Sequence, residues 1–197
     1  MDAVILARHG ESVFSERLLV NGDVAIPGPL TGRGEEEARA LGRAIADDAI
    51  DLCVTSEFER TRQTADLALH GRDVPRLVVP ELNDPRYGSY EGGLLEAYRS
   101  WADAARSDDD VPGGGESRRR IVERYARGFR IVFDRAERCV LVVAHSLPIA
   151  YVLAALDGAA PARRVPLVQH AHPYRLSADE LDNAVRLLED WCAAPTW

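Results

Sequence analysis

The hydrophobic residues of this chain fall into short apolar runs that alternate with longer stretches of helical periodicity. Two of the runs are almost entirely apolar, which is typical of strands buried on both faces of a parallel sheet. Three shorter runs predict further strands, and the five together cover residues 4–8, 50–55, 76–79, 139–144 and 173–176. Strands that alternate with helices along a chain favour a sheet with helices packed on both faces. The pattern therefore predicts an α/β fold, a three-layer α/β/α sandwich with a mostly parallel sheet.

Several predicted helices begin at residues that suit a helix N-terminus. Thr31 can cap one helix, and Ser56–Glu59 and Ser177–Glu180 each have the S-x-x-E pattern of a capping box. Arg60 falls in the first turn of the helix after Ser56, where free N–H groups and the helix dipole attract anions. Further helices are expected over residues 94–105 and 118–138 and from residue 146. The run Arg118–Arg120 is spread around its helix, so most of it is expected to be solvated.

Composition and charge narrow the class of protein. The 197 residues, 46% of them hydrophobic and 28% charged, are expected to form one domain over residues 1–197. No apolar run reaches the roughly 20 residues that span a bilayer and no signal-peptide pattern is present, so a cytoplasmic protein without membrane contact is expected. A net charge of −8 argues against nucleic acid as a partner. The three scattered cysteines indicate free thiols.

Two predicted strands end on a histidine. Arg8, His9 and Gly10 follow the first strand, and His145 follows the strand at 139–144. Because ligands bind beyond the carboxyl ends of strands in such sheets, we expect both imidazoles to lie at one edge with Arg60. Two guanidiniums and two imidazoles fit the three non-bridging oxygens of a phosphoryl group. A neutral imidazole can attack phosphorus, and the glycine after His9 makes it the better candidate nucleophile.

At this point the residues resemble a known family, the histidine phosphatase superfamily of phosphoglycerate-mutase-like proteins. The resemblance covers nearly the whole chain and rests on several motifs in the family's order. These motifs are Arg8-His9-Gly10-Glu11-Ser12, Pro29-Leu30-Thr31-Gly32-Arg33-Gly34, Ser56-Glu57-Phe58-Glu59-Arg60-Thr61-Arg62-Gln63-Thr64-Ala65, Asp84-Pro85-Arg86-Tyr87-Gly88-Ser89-Tyr90-Glu91-Gly92, Gly115-Glu116-Ser117 and Val143-Ala144-His145-Ser146. The resemblance implies a phosphoglycerate-mutase-like sheet. It also implies that His9 becomes a phosphohistidine while Arg8, Arg60 and His145 bind the phosphoryl oxygens.

The resemblance further implies a carboxylic acid that protonates the leaving group. By position this general acid is Asp84, with Glu81 as the alternative, and its pKa is expected to lie above that of a free carboxyl. Two residues differ from the usual pattern of the family. Ser15 stands where relatives often carry a phosphate-binding Asn, and Ser146 stands where Gly is usual. Both are expected to contact phosphate or substrate, with an altered substrate preference.

Three functions are compatible with this pattern. We favour a metal-independent phosphatase that hydrolyses a small phosphorylated metabolite and binds inorganic phosphate. A cofactor-dependent phosphoglycerate mutase is less favoured, because the stretch from Gly92 to Glu116 is short and places Arg99 and Arg106 among acidic residues. A catalytically silent phospho-ligand-binding module is the third alternative.

Neither a metal nor a cofactor is required by this interpretation. His170 and His172 lack a third ligand nearby in the sequence, so a metal site there is not expected. The sequence does not decide the oligomeric state, and a homodimer stays open.

Overall fold

The computed structural model describes all 197 residues and contains a five-stranded sheet. The strands lie in the order β3-β2-β4-β1-β5, and all pairs are parallel except β1 with β5. Their bounds are β1 Ala3–Arg8, β2 Leu52–Thr55, β3 Arg76–Val78, β4 Cys139–Ala144 and β5 Tyr174–Ser177. The predicted fold class is confirmed, with boundaries that shift by one or two residues.

The chain also contains six α-helices. They are α1 Gly32–Ala44, α2 Glu59–Ala68, α3 Leu95–Ala104, α4 Arg118–Phe133, α5 Ser146–Leu156 and α6 Ala178–Ala193. Two short 3₁₀ turns, Pro80–Leu82 and Gly88–Tyr90, interrupt the segment before α3. Helix α4 ends five residues earlier than its apolar periodicity predicts, because the chain turns there to enter β4. None of these helices is both long enough and apolar enough to cross a bilayer.

Alternate side chains of the strands enter two separate hydrophobic layers. Val4 and Leu6 of β1 belong to a large cluster with residues of α4, α5 and α6. Ile5 and Ala7 belong to a smaller cluster on the other face, with residues of α1 and α2. Since successive side chains of a strand point to opposite faces, a central strand buried on both sides is apolar throughout. This burial explains the uninterrupted apolar runs in the sequence.

The register of β1 and β4 aligns the two histidines that follow them. Arg8 lies opposite Ala144 at the last pair of this ladder, and the backbone N–H of His9 donates to the carbonyl of Ala144 at 3.0 Å. His9 and His145 therefore leave the sheet side by side. Thr55, the last residue of β2, pairs with Val143 and brings the start of α2 to the same edge.

Two of the three predicted helix caps form. The Thr31 side chain accepts a hydrogen bond from the N–H of Gly34, and Ser177 and Glu180 make a complete capping box. The capping box predicted at Ser56–Glu59 is wrong, because α2 begins after Phe58, which makes no side-chain cap. The Ser56 hydroxyl contacts the ring of His145 at the sheet edge and leaves the helix start uncapped.

The capping box of α6 yields a prediction for stability. Ser177→Ala removes the bond to the N–H of Glu180 and should lower the free energy of unfolding by about 0.5–2 kcal/mol. Urea unfolding followed by circular dichroism measures the change. Ser100→Ala, at an exposed position inside α3, is the matched control and should change stability by no more than about 0.5 kcal/mol. Equal midpoints for the two variants would contradict the prediction.

Candidate active site

A cavity of about 290 Å³ opens at the carboxyl edge of the parallel strands. The residues predicted from sequence gather here: Arg8, His9, Ser15, Arg60, Asp84 and Ser146 line the cavity, and His145 lies directly behind Asp84. Glu81, the alternative acid, is not among the lining residues. Its Cβ packs instead near Gly128 of α4. Of the two carboxylates considered, only Asp84 reaches the cavity.

Arg60 is the central hydrogen-bond donor of this site and is only 3% exposed. Its Nε donates to Nε2 of His9 at 3.2 Å, and its terminal nitrogens donate to Oδ1 of Asn21 at 2.6 Å and to Oδ2 of Asp84 at 2.7 Å. The guanidinium lies 4.1 Å from the centroid of the Phe58 ring, which holds it from the side by a cation–π contact. The first turn of α2 thus places one cation against a nucleophile candidate and an acid candidate.

The ring of His9 is fixed by hydrogen bonds at both nitrogens. Nδ1 lies 2.7 Å from the carbonyl oxygen of Gly10, which can only accept, and Nε2 faces the Nε–H of Arg60, which can only donate. The ring therefore carries its proton on Nδ1 and a lone pair on Nε2. Burial, followed by the charges of Arg60 and Arg8, holds the pKa of His9 well below its usual range.

Two glycines hold the backbone around His9 against the start of α1. A Cβ on Gly10 would lie 2.3 Å from the carbonyl oxygen of Gly34, and a Cβ on Gly34 would lie 1.9 Å from that of Glu11. No side chain fits at either position without a backbone shift. The close approach fixes the chain that leaves β1 at the point where it carries His9.

His145 is completely buried and bridges Asp84 and Ser56. Its Nδ1 lies 3.0 Å from Oδ2 of Asp84, and its Nε2 lies 2.8 Å from the Ser56 hydroxyl. Burial lowers the pKa of His145 to about 4, although the Asp84 carboxylate acts in the opposite direction. A neutral ring fits both contacts if Nδ1–H donates to Asp84 and Nε2 accepts from Ser56.

The pKa of the Asp84 carboxyl is shifted in the direction opposite to the one expected from sequence. Burial raises the pKa of this carboxyl, but the contacts with His145 and Arg60 lower it by more. The pKa therefore lies well below the ordinary value. The expectation of a raised pKa is therefore wrong, because the contacts with His145 and Arg60 stabilise the carboxylate. Asp84 also borders a second cavity, which is lined mostly by polar and glycine residues and includes Glu116 and Arg124.

Arg8 is a buried cation without an acidic partner. One terminal nitrogen donates to the carbonyl of Val168 at 2.8 Å, and its Nε has no hydrogen-bond partner. Burial lowers the pKa of the guanidinium to about 10, so it remains charged at neutral pH. A buried cation with a free donor beside His9 can bind an anionic oxygen of a ligand.

The two serines that depart from the family pattern also line the cavity. The Ser15 hydroxyl accepts from the N–H of Ser12 at 2.7 Å and donates to its carbonyl at 3.1 Å. The Ser146 hydroxyl accepts from the N–H of Val168 at 2.9 Å. Both hydroxyls thus organise the local backbone, and that of Ser146 keeps its proton available for a ligand.

Two residues of the site have no signal in the sequence. Asn21 accepts from Arg60 with its side chain and with its carbonyl, at 2.6 and 3.0 Å. His170, to which the sequence assigned no role, lines the cavity with Nδ1 at 2.8 Å from the carbonyl of His9. His172 packs against Tyr174 instead and does not line the cavity. Only the fold brings these distant segments to His9.

The donor set at the centre of the site favours an anion over a metal ion. His9, Asp84 and His145 offer ligand atoms within 4.8 Å of one another. However, the Arg60 guanidinium contacts the same three side chains, at 3.2, 2.7 and 3.4 Å. A metal ion among them would lie against this positive charge, whereas a phosphoryl group would be attracted to it.

Comparisons with known proteins agree with this geometry. The family model of the histidine phosphatase superfamily (branch 1) matches residues 4–190. The adenosylcobalamin/alpha-ribazole phosphatase of Salmonella typhimurium is 32% identical over 77% of this chain and 77% of its own length. A 2,3-bisphosphoglycerate-dependent phosphoglycerate mutase of Methylobacterium radiotolerans is 33% identical over 89% and 90% of the two chains.

A solved structure of a similar protein has the same fold. The alpha-ribazole phosphatase from Shigella flexneri superposes with a TM-score of 0.72 and 27% identity, over 88% of this chain and 89% of that one. The family model spans both histidine-bearing strands and the Arg60 helix. Relatives in this group include both phosphatases and mutases. The chain belongs to branch 1 of the histidine phosphatase superfamily.

Proposed function

We propose that this protein is a metal-independent phosphomonoesterase that hydrolyses a small phosphorylated metabolite through a phosphohistidine on His9. The observation that carries the proposal is the geometry of His9: Nδ1 lies 2.7 Å from the Gly10 carbonyl oxygen, which leaves the lone pair on Nε2, and the buried cations Arg8 and Arg60 flank the ring. A neutral nucleophile beside two cations suits attack on an anionic phosphoryl group. Phosphoryl transfer depends mainly on such positioning and charge stabilisation.

In the first step the lone pair of Nε2 attacks phosphorus and the bond from phosphorus to the ester oxygen breaks. The positive charge that develops on the imidazole is stabilised by the Nδ1–H bond to the carbonyl of Gly10. Arg60 turns its Nε–H from His9 to a phosphoryl oxygen, and Arg8 donates from its free Nε. The neutral ring of His145, held by Ser56, lies behind Asp84 and positions its carboxylate through Nδ1.

Asp84 acts in this scheme as the general acid and then as the general base. His145 and Arg60 keep it ionised, but the phosphoryl dianion of a substrate competes for the Arg60 guanidinium. Loss of the ion pair removes one of the two contacts that lower the pKa of Asp84, so that this pKa rises, and burial acts in the same direction. The protonated acid donates to the departing alkoxide. As a carboxylate it then accepts a proton from the water that attacks phosphohistidine and returns His9 to its starting form.

Two alternative functions are a mutase and a catalytically silent binding module. Some relatives are mutases, and Arg99 of α3 does line the cavity, whereas Arg106 is exposed and away from it. A silent binding module is disfavoured, because such a module has no need for an acid within reach of a fixed nucleophile.

The nucleophile assignment predicts the effect of His9→Ala. Purified protein should hydrolyse 4-nitrophenyl phosphate in the presence of a chelator, and the variant should lose about 10³-fold or more in kcat because no phosphoenzyme forms. His172→Ala, outside the cavity, is the matched control. A coupled assay for conversion of 3-phosphoglycerate to 2-phosphoglycerate tests the mutase alternative. Full turnover by the His9 variant would reject the assignment.

The acid assignment predicts a dependence on the leaving group. Asp84→Asn should lower kcat for alkyl phosphates by about 10²–10⁴-fold, and by less for 4-nitrophenyl phosphate, whose leaving group needs little protonation. Glu81→Gln is the control, since Glu81 lies outside the cavity. Steady-state kinetics with both substrate types measures the difference. The same loss for good and poor leaving groups would show that Asp84 is not the acid.

The hydrogen bonds of His9 predict its protonation state. ¹⁵N NMR of the imidazoles should show a neutral His9 with its proton on Nδ1 at pH 6, because burial and two cations lower its pKa. As a variant control, His9→Gln identifies the signal. Titration of this ring near 6.5, or a proton on Nε2, would contradict the proposed nucleophile.

A further inference from the structure

The wall of the cavity away from His9 has its own chemical character. Its apolar part includes Phe14, Leu18, Leu95 and Leu147. Four arginines also line the cavity beyond Arg8 and Arg60, and they are Arg99, Arg118, Arg163 and Arg164. The proposed phosphoryl transfer uses none of these side chains.

Arg118 is the most unusual of these arginines. It is only 8% exposed, although the sequence predicted a mostly solvated run. One nitrogen donates to the carbonyl of Arg163 at 3.2 Å, and the guanidinium lies 5.9 Å from the ring centroid of Tyr98. It forms no ion pair. Its neighbours Arg119 and Arg120 are more exposed and each pairs with an aspartate at 3.3 Å.

The position of Arg118 makes its charge costly. It is the first residue of α4, where the helix dipole disfavours a cation, and the first turn of this helix contains no acidic residue. A buried charge without an opposite charge destabilises a fold. An anion bound here would favour both the guanidinium and the helix N-terminus.

Two neighbouring arginines strengthen this positive end of the cavity. Arg99 donates to the carbonyl of Val165 at 3.3 Å, and Arg163 donates to that of Asp103 at 2.6 Å. Neither forms an ion pair, whereas Arg164 pairs with Glu96 and Asp103. Three unpaired guanidiniums therefore face one cavity that also contains the phosphoryl site.

We propose that Arg118, with Arg99 and Arg163 beside it, binds a second anionic group on the leaving alcohol of the substrate. The substrate class is a phosphomonoester whose carbon frame contacts the apolar wall and ends in a carboxylate or a second phosphate. This inference rests on the proposed function, because it takes the phosphoryl group to be held at His9. Arg118 is then a residue that determines specificity.

The test uses matched series of alkyl phosphates of increasing chain length whose far end is a methyl, a carboxylate or a phosphate. For the native protein kcat/KM should be at least about tenfold higher with an anionic end at one chain length, since a charge-assisted bond is worth that much. Arg118→Met should lower this ratio about tenfold or more. Arg120→Met, in the same arginine run but outside the cavity, should leave the ratio unchanged. The two anionic series distinguish a carboxylate from a phosphate.

A native ratio near one at every length, or the same ratio in the Arg118 variant, would overturn the proposal. Thermal unfolding separates binding from structure: an unpaired buried cation replaced by methionine should leave the melting temperature unchanged or higher. If that variant does not fold, Arg118→Lys, which keeps the charge without the fork, should give an intermediate ratio. If the native protein hydrolyses none of the compounds, the proposed function fails. Calorimetric affinities for the same series then decide the anion site by the same ratio.

Discussion

The arrangement of the whole site depends on one buried guanidinium. Arg60 contacts His9, Asn21, Asp84 and His145 from a single position at the start of α2. Each of these contacts joins segments that lie far apart in the sequence. Together with burial, the cation lowers the pKa of His9; together with His145, it lowers the pKa of Asp84; and it leaves the cavity attractive to anions. The site is therefore a coupled set in which the protonation of one member depends on the partners of Arg60.

That coupling explains why an acid with a low pKa can serve in the proposed reaction. In the unliganded site the carboxylate of Asp84 neutralises part of the charge of Arg60. A phosphoryl group is a stronger partner for the same guanidinium, since it offers more oxygens and more charge. In the proposed reaction, binding thus exchanges one anion for another, and the displaced carboxylate loses one of the two contacts that favour its ionised form. In the proposed reaction the pKa of Asp84 is therefore higher when the phosphoryl group is bound.

The sequence predicts the framework of the site better than its contacts. Arg8, His9 and His145 follow apolar strands, and the parallel register of β1 and β4 brings such strand ends together. Arg60 was expected near them because a helix N-terminus attracts anions. Ser56 was assigned to a local cap, but it contacts His145, which lies 89 positions away in the sequence. Local patterns predict local hydrogen bonds, and a tertiary partner can displace them.

Other features could not be predicted because they depend on burial and on neighbours from distant segments. The pKa of Asp84 follows from contacts with His145 and Arg60 that form only in the folded chain. Arg118 and Arg120 are equivalent in the sequence, yet one faces the cavity and the other an aspartate.

The contact of Gly10 with Gly34 has a consequence for α1, a helix that lines no part of the cavity. Because the backbone next to His9 packs tightly against the first turn of this helix, a movement of α1 would also displace the proposed nucleophile. Attempts to redesign the substrate range of this protein can vary the cavity walls outside the residues proposed to bind and transfer the phosphoryl group. They must keep Gly10, Gly34 and the position of α1 unchanged.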